Sequence, residues 1–222
     1  AKVVYDAAVA AGAPENCIQW IEKPTMEGTN ALMNHPGVST ILATGGNAMV
    51  RAAYSCGKPA LGVGAGNVPA YVEKTADVRQ AVNDIVLSKA FDNGMICASE
   101  QAAIVDKEIY DEFVEEMKSF GVYFVNKKEK EMLEKYMFGV KGYSKDVNNA
   151  RLNATMVGKS AQFIAEQAGF TVPEKTVILV AECKEVGPNE PLTREKLSPV
   201  LAILKADSTE EGIKMSEQMV EF

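Results

Sequence analysis

The sequence contains very little histidine, since His35 is the only one among 222 residues. Its four cysteines form no C-x-x-C pair, so the ligand spacing of a zinc site is absent and no metal is expected. Widely spaced, unpaired cysteines are typical of free thiols in a reducing compartment. A single histidine also argues against enzymes that pair a cysteine with a catalytic histidine. Because Pro36 and Gly37 follow it, we interpret His35 as a turn residue.

The chain also lacks an excess of positive charge and a long apolar run. Its net charge of −7 argues against a general nucleic-acid-binding protein, which would present a basic surface. Neither a signal-peptide pattern nor a segment apolar enough to span a bilayer is recognisable. We therefore expect neither nucleic acid nor membrane as a partner, and a cytoplasmic protein. With 47% hydrophobic residues, the chain can bury a sizeable core.

Short β-branched runs alternate with helical patterns, which predicts an α/β fold with parallel strands. The charge-dense segment 127–136 is predicted to form a solvated helix face, with a binding patch as the alternative, and 140–156 a surface connection. We place a boundary between two parts of the chain, residues 1–75 and residues 76–222. Strands are predicted at residues 17–21, 39–43, 59–63, 70–73, 101–105, 122–125, 176–180 and 200–204, and helices at 1–11, 26–34, 47–56, 77–91, 107–120, 160–168 and from 208.

Two glycine-containing segments lack the common nucleotide-binding signatures. No G-x-G-x-x-G follows a first strand, and the run from Gly62 to Gly66 lacks the G-K-[ST] ending of a Walker motif. Thr44-Gly45-Gly46 lies where a strand leads into a helix, and glycines there would let a phosphate approach backbone N–H groups. A tight turn without a ligand explains the same pattern, so both interpretations stay open.

The segment 91–100 places Cys97 between a helical pattern and a strand. A cysteine is a strong nucleophile only as the thiolate, so its surroundings must favour that form. Gly94, three residues earlier, would let the backbone turn tightly and bring amide donors close to the sulfur. The pattern indicates a reactive-thiol loop. A buried structural cysteine next to a turn is the alternative, because free cysteines are usually buried and inert.

Four blocks of this sequence, in the expected order, resemble the aldehyde dehydrogenase superfamily. The resemblance is strongest to its CoA-acylating branch, as in the aldehyde dehydrogenase half of bifunctional aldehyde–alcohol dehydrogenases. It extends over nearly the whole chain and implies an aldehyde-dehydrogenase-like fold. Residues 1–75 would then form a partial, Rossmann-like NAD-binding domain, and residues 76–222 a catalytic α/β domain with a parallel sheet. The blocks are residues 41–48, 59–69, 91–101 and 195–201.

The resemblance also implies roles for individual residues. Cys97 matches the family nucleophile, and the turn Thr44-Gly45-Gly46 matches a segment near the bound NAD. Glu195 matches a carboxylate that hydrogen-bonds the nicotinamide ribose. Without the resemblance, Glu195 would be interpreted as a solvated charge, because it lies between an arginine and a lysine. The other three cysteines match no family site and are expected to be core or surface thiols.

The implied reaction interconverts an aldehyde, CoA and NAD⁺ with acyl-CoA and NADH through an acyl-cysteine thioester. Acetaldehyde is the expected substrate, and the backbone N–H of Cys97 is expected to help hold the oxyanion. Hydrolytic members of the family carry a general-base glutamate directly after the leucine that Leu61 matches. Gly62 stands there in this sequence, which favours exchange with the CoA thiol over hydrolysis. A loop that merely tolerates glycine is the alternative explanation.

Family members are longer, and this sequence begins and ends within helical patterns, so we expect it to be truncated at both ends. A second oxyanion donor, an asparagine, and contacts to the adenosine of NAD are then expected upstream of Ala1. The chain is accordingly predicted to bind NAD weakly. Because family members oligomerise, a homo-oligomer is expected. A non-catalytic piece that serves assembly and a hydrolytic aldehyde dehydrogenase remain the alternative functions.

Overall fold

The computed structural model describes all residues from Ala1 to Phe222, and they divide into two units, Ala1–Gly64 and Ala65–Phe222. The division comes before residue 75, at which the sequence analysis ends the first domain. The reason is that the strand Val68–Val72 pairs with a strand of the second unit. The assignment of cofactor binding and catalysis to separate parts of the chain stays a prediction.

The first unit contains a two-stranded parallel sheet and a small core. Its strands pair with Ile41 opposite Ala60, and its buried apolar residues are Met33, Ala43 and Ala53. The strand predicted at residues 17–21 is wrong, because this segment pairs with no other strand and is mostly exposed. The elements are α1 (Lys2–Ala10), α2 (Met26–Asn34), β1 (Ile41–Thr44), α3 (Asn47–Ser55) and β2 (Ala60–Val63).

The second unit is built on a five-stranded sheet with the order β3-β4-β7-β6-β5, in which every pair is parallel. The predicted α/β fold with parallel strands is therefore confirmed. The elements are β3 (Val68–Val72), α4 (Val78–Ala90), β4 (Glu100–Asp106), α5 (Tyr110–Lys118), β5 (Val122–Phe124), α6 (Lys127–Phe138), α7 (Ala161–Ala168), β6 (Ile178–Glu182), β7 (Val200–Ala206) and α8 (Thr209–Glu221), with short 3-10 helices at Phe91–Gly94, Val147–Asn149, Ala154–Met156 and Pro191–Thr193.

Helices cover both faces of this sheet. Along β4, Ala103 and Val105 pack in a cluster with side chains of α4 and α5, whereas Ala102 and Ile104 pack with those of α6, α7 and α8. Successive side chains of a strand point to opposite faces, so one apolar strand supplies both layers. Burial on two faces explains why the central strands are continuous apolar runs rather than alternating ones.

Two segments that the sequence analysis assigns to the surface contribute to the core. In α6, Leu133, Met137 and Phe138 are buried beneath the charged face. The segment 140–156 contains two short 3-10 helices, and its Val147 and Met156 are buried. Since these turns follow neither the helical nor the strand period, their buried residues produce no recognisable pattern.

The structure contains no helix that is long and apolar enough to cross a membrane. It also contains no group of three or more His, Cys, Asp or Glu side chains arranged to hold a metal ion.

Candidate functional site

Three segments lead into the neighbouring strands β3, β4 and β7, and all three carry residues of the sequence blocks described above. Gly66 precedes β3, Cys97 precedes β4, and Glu195 lies shortly before β7. Because the strands are parallel and adjacent, their amino ends meet at one edge of the sheet. We call this place the amino edge. The topology thus brings Cys97 and Glu195 into one region, although 98 positions separate them in the sequence (195 − 97).

Cys97 is exposed at the end of a tightly wound loop, so the alternative of a buried structural cysteine is wrong. Asp92, Asn93 and Gly94 have positive φ angles of 49°, 51° and 67°, and two of these residues are not glycine. Such a run of left-handed backbone costs energy and persists only where the surroundings hold it. A turn follows, in which the N–H of Ser99 donates to the carbonyl of Ile96 at 2.9 Å. The loop therefore presents the thiol on a constrained backbone.

Glu195 is partly buried rather than fully solvated. Its burial raises the pKa of the carboxyl group, and a hydrogen bond from the backbone of Gly66 partly offsets that effect. The same glycine lies against the Cys97 segment, because a Cβ at position 66 would be 3.6 Å from the Cys97 carbonyl oxygen. Gly66 thus lies close to both the Cys97 segment and Glu195. The residues alone favour a solvated charge at Glu195, and the structure shows instead that this side chain is partly buried.

A second connection between the two segments runs through Gly158. The side-chain amide of Asn93 donates to the Gly158 carbonyl at 3.0 Å, and the Gly158 N–H donates to the Leu197 carbonyl at 3.1 Å. Leu197 has a φ of 46°, which is rare for a residue with a branched side chain. Residues with positive φ angles therefore lie close to both Cys97 and Glu195 in the sequence. Hydrogen bonds through the backbone of Gly158 connect the two segments.

Thr44, Gly45 and Gly46 lie in the first unit, between β1 and α3. Thr44 ends β1, the Gly45 N–H donates to the Val63 carbonyl at 3.1 Å, and Gly46 is the N-cap of α3. A Cβ at Gly46 would meet nothing within 4 Å, and no side chain caps this helix. The amino terminus of α3 is therefore open, as the binding of a phosphate at a helix N-terminus requires.

The remaining cysteines and His35 have structural surroundings. Cys17 is exposed, Cys56 is partly buried and Cys183 is buried, and all are free thiols. Burial raises the pKa of the Cys183 thiol far above its usual value, which makes it a poor nucleophile. His35 follows the end of α2, and its Nδ1 accepts a hydrogen bond from the Gly37 N–H at 3.1 Å.

The packing around position 62 requires a residue without a side chain. A Cβ at this position would lie 2.5 Å from Val50 Cγ1 and 2.9 Å from Cε2 of Tyr54. The Gly62 N–H also donates to the Tyr54 hydroxyl at 2.9 Å. A glutamate could not replace Gly62 without displacing α3 side chains, so strand and helix are fitted to a residue without a side chain.

A cavity of about 980 Å³ in the second unit lies at the carboxyl ends of β5, β6 and β7, and none of the predicted site residues lines it. Its charged groups are largely paired within the chain, for example Lys130 with Glu190 and Lys205 with Asp111. The candidate site is therefore at the opposite edge of the sheet from this cavity.

Sequence reasoning did not identify Gly66, Asn93 and Gly158 as parts of the site. The Asn93-Gly94 dipeptide carries a turn signal, since both residue types tolerate left-handed backbone. Gly66 lies within a recognised block, but nothing in the sequence indicates its contact with Glu195. Gly158 lies 61 positions after Cys97 (158 − 97) in a segment without periodicity, so only the fold could reveal it.

Comparisons with known proteins identify the family of this chain. The family model described as "Aldehyde dehydrogenase family" matches residues 1–219. An aldehyde-alcohol dehydrogenase of Streptococcus pneumoniae is 73% identical over 222 residues, covering 100% of this chain and 25% of the relative. The chain thus spans about a quarter of the length of that relative.

Solved structures of similar proteins share the fold. An acetylating aldehyde dehydrogenase from Geobacillus thermoglucosidasius has a TM-score of 0.89 at 45% identity, over 100% of this chain and 47% of its own. A propionaldehyde dehydrogenase of Rhodopseudomonas palustris with bound propionyl-CoA has a TM-score of 0.82 at 30% identity, over 99% and 47% of the two chains. The predicted aldehyde-dehydrogenase-like fold is confirmed, and the chain belongs to the aldehyde dehydrogenase family.

Proposed function

We propose that this chain carries the acyl-transfer site of a CoA-acylating aldehyde dehydrogenase. The reaction converts an aldehyde, CoA and NAD⁺ into acyl-CoA, NADH and a proton, and runs in both directions. The observation that carries the proposal is the exposed Cys97 on its constrained loop, at the same edge of the sheet as Glu195 and with Gly66 close to both segments. The names of the relatives, which include acetylating dehydrogenases, support the same class.

Cys97 acts as the nucleophile in this proposal. Its thiolate adds to the aldehyde carbonyl and forms a thiohemiacetal, whose loss of hydride leaves an acyl-cysteine. The CoA thiolate then attacks the acyl carbon, the bond to the Cys97 sulfur breaks, and the cysteine thiolate is regenerated. The backbone N–H of Cys97 donates to the carbonyl oxygen as negative charge develops there, which lowers the barrier of both addition steps.

A nicotinamide cofactor, NAD in our proposal, would supply the acceptor for the hydride when bound. Glu195 is suited to hold its ribose, because a carboxylate is an acceptor for hydroxyl groups. The open amino terminus of α3 at Gly46 fits a phosphate, since its backbone N–H groups are uncapped. These two contacts lie in different units, and each is proposed on its own local geometry.

Gly62 supports CoA rather than water as the second nucleophile. The position following Leu61 carries no carboxylate that could activate water. A thiol needs less assistance than water, because its pKa is much closer to neutrality. Acetaldehyde as the substrate, a cytoplasmic location and a homo-oligomeric assembly remain predictions from the family resemblance.

The experiment that tests the proposal is incubation of the chain with acetyl-CoA, followed by peptide mass spectrometry. Thioester exchange needs no nicotinamide, so acetylation of Cys97 isolates the acyl-transfer site. We expect the acetyl group on Cys97, and not on the exposed Cys17 or the buried Cys183. Cys97→Ala should abolish the adduct without adding one elsewhere.

The result that contradicts the proposal is equal or absent labelling. If Cys97 takes no acetyl group and reacts with iodoacetamide no faster than Cys17, the loop confers no special reactivity on its thiol. The chain would then carry no acyl-transfer site of its own, and the assembly interpretation would take its place.

A further inference from the structure

Gln101 is a fully buried side chain that connects three segments of the second unit. Its Nε2 donates to the Ser99 carbonyl at 3.0 Å, on the Cys97 segment. Its Oε1 accepts from Nζ of Lys89 at 3.3 Å, at the end of α4, and from the backbone N–H of Lys196 at 3.0 Å, next to Glu195. One amide group therefore holds the nucleophile segment, the preceding helix and the segment of the carboxylate.

The side chains around Gln101 include two buried lysines, whose burial lowers the stability of the folded chain. Lys89 and Lys196 are both fully buried. Nζ of Lys196 donates to the carbonyls of Gln101, Leu192 and Arg194 at 2.6–2.9 Å. Burial lowers the pKa of Lys89 to about 7 and that of Lys196 well below its usual value, which records the cost of desolvating both ammonium groups. Apolar side chains of similar size would stabilise the core more cheaply.

Polar atoms without partners surround the same place. Oγ of Ser99, Oγ of Ser198 and Oε2 of Glu100 are buried, and none has a hydrogen-bond partner in the structure. Unsatisfied buried groups are rare in folded proteins and are expected where a local rule is broken for function. They lie on the two segments that Gln101 joins, so buried polar groups are concentrated at the amino edge.

We propose that Gln101 is a positioning residue for the acyl-transfer site. Its amide sets the Cys97 segment and the Glu195 segment relative to one another, through Ser99 on one side and Lys196 on the other. It contacts no substrate and acts only through these neighbours. The catalytic meaning of this role rests on the proposed function, whereas the mechanical coupling of the two segments does not.

Hydrogen exchange measured by mass spectrometry tests the coupling directly. Gln101→Leu should raise the exchange rate of amides in residues 91–99 and 195–198 by about tenfold. Gln162→Leu is the control, since the side-chain amide of Gln162 also bonds to more than one partner, donating at 2.7 and 2.6 Å to the carbonyls of Glu174 and Thr176. It should accelerate exchange only around α7 and residues 174–176.

A second variant separates the two sides of the amide. Gln101→Glu retains an oxygen that accepts from Lys89 and from the Lys196 N–H but removes the donor to Ser99. Exchange should therefore rise in residues 91–99 and stay unchanged in residues 195–198. This variant also keeps the coupling testable if the leucine variant does not fold.

Acetyl transfer from acetyl-CoA to Cys97 connects the coupling to catalysis. Gln101→Leu should lower its rate by about tenfold, because a misplaced nucleophile loses its alignment with the bound acyl group. Gln162→Leu should leave the rate unchanged, even where it lowers the melting temperature as much. If the wild-type chain takes no acetyl group, the proposed function fails and the exchange data still decide the role of Gln101. Unchanged exchange in both segments, or the same general increase in both leucine variants, would overturn the proposal.

Discussion

At the scale of single residues, Gly94 shows how the fold constrains the loop of Cys97. Its φ is 67°, and a Cβ there would lie 2.4 Å from the Ser198 carbonyl oxygen. Gly139 has a similar φ of 74°, but a Cβ there would meet nothing within 4 Å. The two positions therefore share the backbone requirement for glycine and differ in the available space.

Alanine at these two positions separates strain from collision. We expect Gly139→Ala to lower the free energy of unfolding by about 1–2 kcal/mol, the cost of left-handed backbone. Gly94→Ala should cost about 1–3 kcal/mol more, because the side chain also collides with the Ser198 segment. Urea denaturation of both variants measures the difference. Equal losses of unfolding free energy would show that the loop moves away from Ser198 at no cost. Only Gly94→Ala should also change the alkylation rate of Cys97.

Lys89 gives the second prediction at this scale, a pH dependence. Burial lowers its pKa to about 7 from 10.5. Between these pH values the unfolded chain holds a proton that the folded chain has released, so the free energy of unfolding rises with pH. One such group contributes about 1.4 kcal/mol per pH unit. Lys89→Met should therefore raise stability at pH 7 and reduce the slope between pH 7.5 and 9.5 by about this amount.

Urea denaturation across that pH range measures the slope. The difference between wild type and variant therefore reports Lys89 together with its effect on Lys196, whose pKa the Lys89 charge lowers further. Lys214→Met, on the exposed surface of α8, controls for the loss of one positive charge. An unchanged slope in Lys89→Met would mean that the ammonium group is not desolvated by the fold.

At the scale of elements, most of the second unit could be predicted from the sequence. The strands of its sheet are short apolar runs bounded by glycine, proline or charged residues, and their positions follow from that pattern. Helix α4 is bounded in the same way, since Asp77 caps it by accepting from the Gln80 N–H. Local sequence determines such boundaries, so no knowledge of the tertiary fold is needed.

The segments that the sequence described wrongly or incompletely depend on distant partners. Residues 17–21 have strand-forming side chains, but a strand requires a neighbouring strand, and none is available. In α6 the many charged residues make the apolar side of the helix hard to recognise in the sequence. Some of these charges are also not solvated, since Lys130 and Glu134 form part of a buried polar cluster with Glu190. Charge density indicates solvation only where charges are not paired inside the protein.

At the scale of the whole molecule, the parallel sheet explains why the candidate site was only partly predictable. Cys97 and Glu195 could be singled out by resemblance, because each lies in a recognisable block. Their neighbours Gly158 and Gln101 contribute through contacts made only when adjacent strands align their amino ends. Candidate residues can thus be found from local sequence, whereas their neighbours in space follow only from the order of the strands.

The unequal cores of the two units lead to the last prediction. Only three apolar residues are buried in the core of the first unit, around a two-stranded sheet, whereas helices cover both faces of the five-stranded sheet. A two-stranded sheet with little buried area is marginally stable. We therefore expect residues 1–64 to unfold at a lower urea concentration than residues 65–222.

The single tryptophan makes this measurable, because Trp20 lies in the first unit and packs edge-on against Tyr5, with ring centroids 6.3 Å apart. Its fluorescence should report a transition at lower urea, while far-UV circular dichroism follows mainly the larger unit. A chain of residues 65–222 should lose only the fluorescence transition and retain the midpoint of the main one. Coincident transitions by both probes would instead show that the units unfold as one cooperative body, and that the small core of the first unit does not limit its stability.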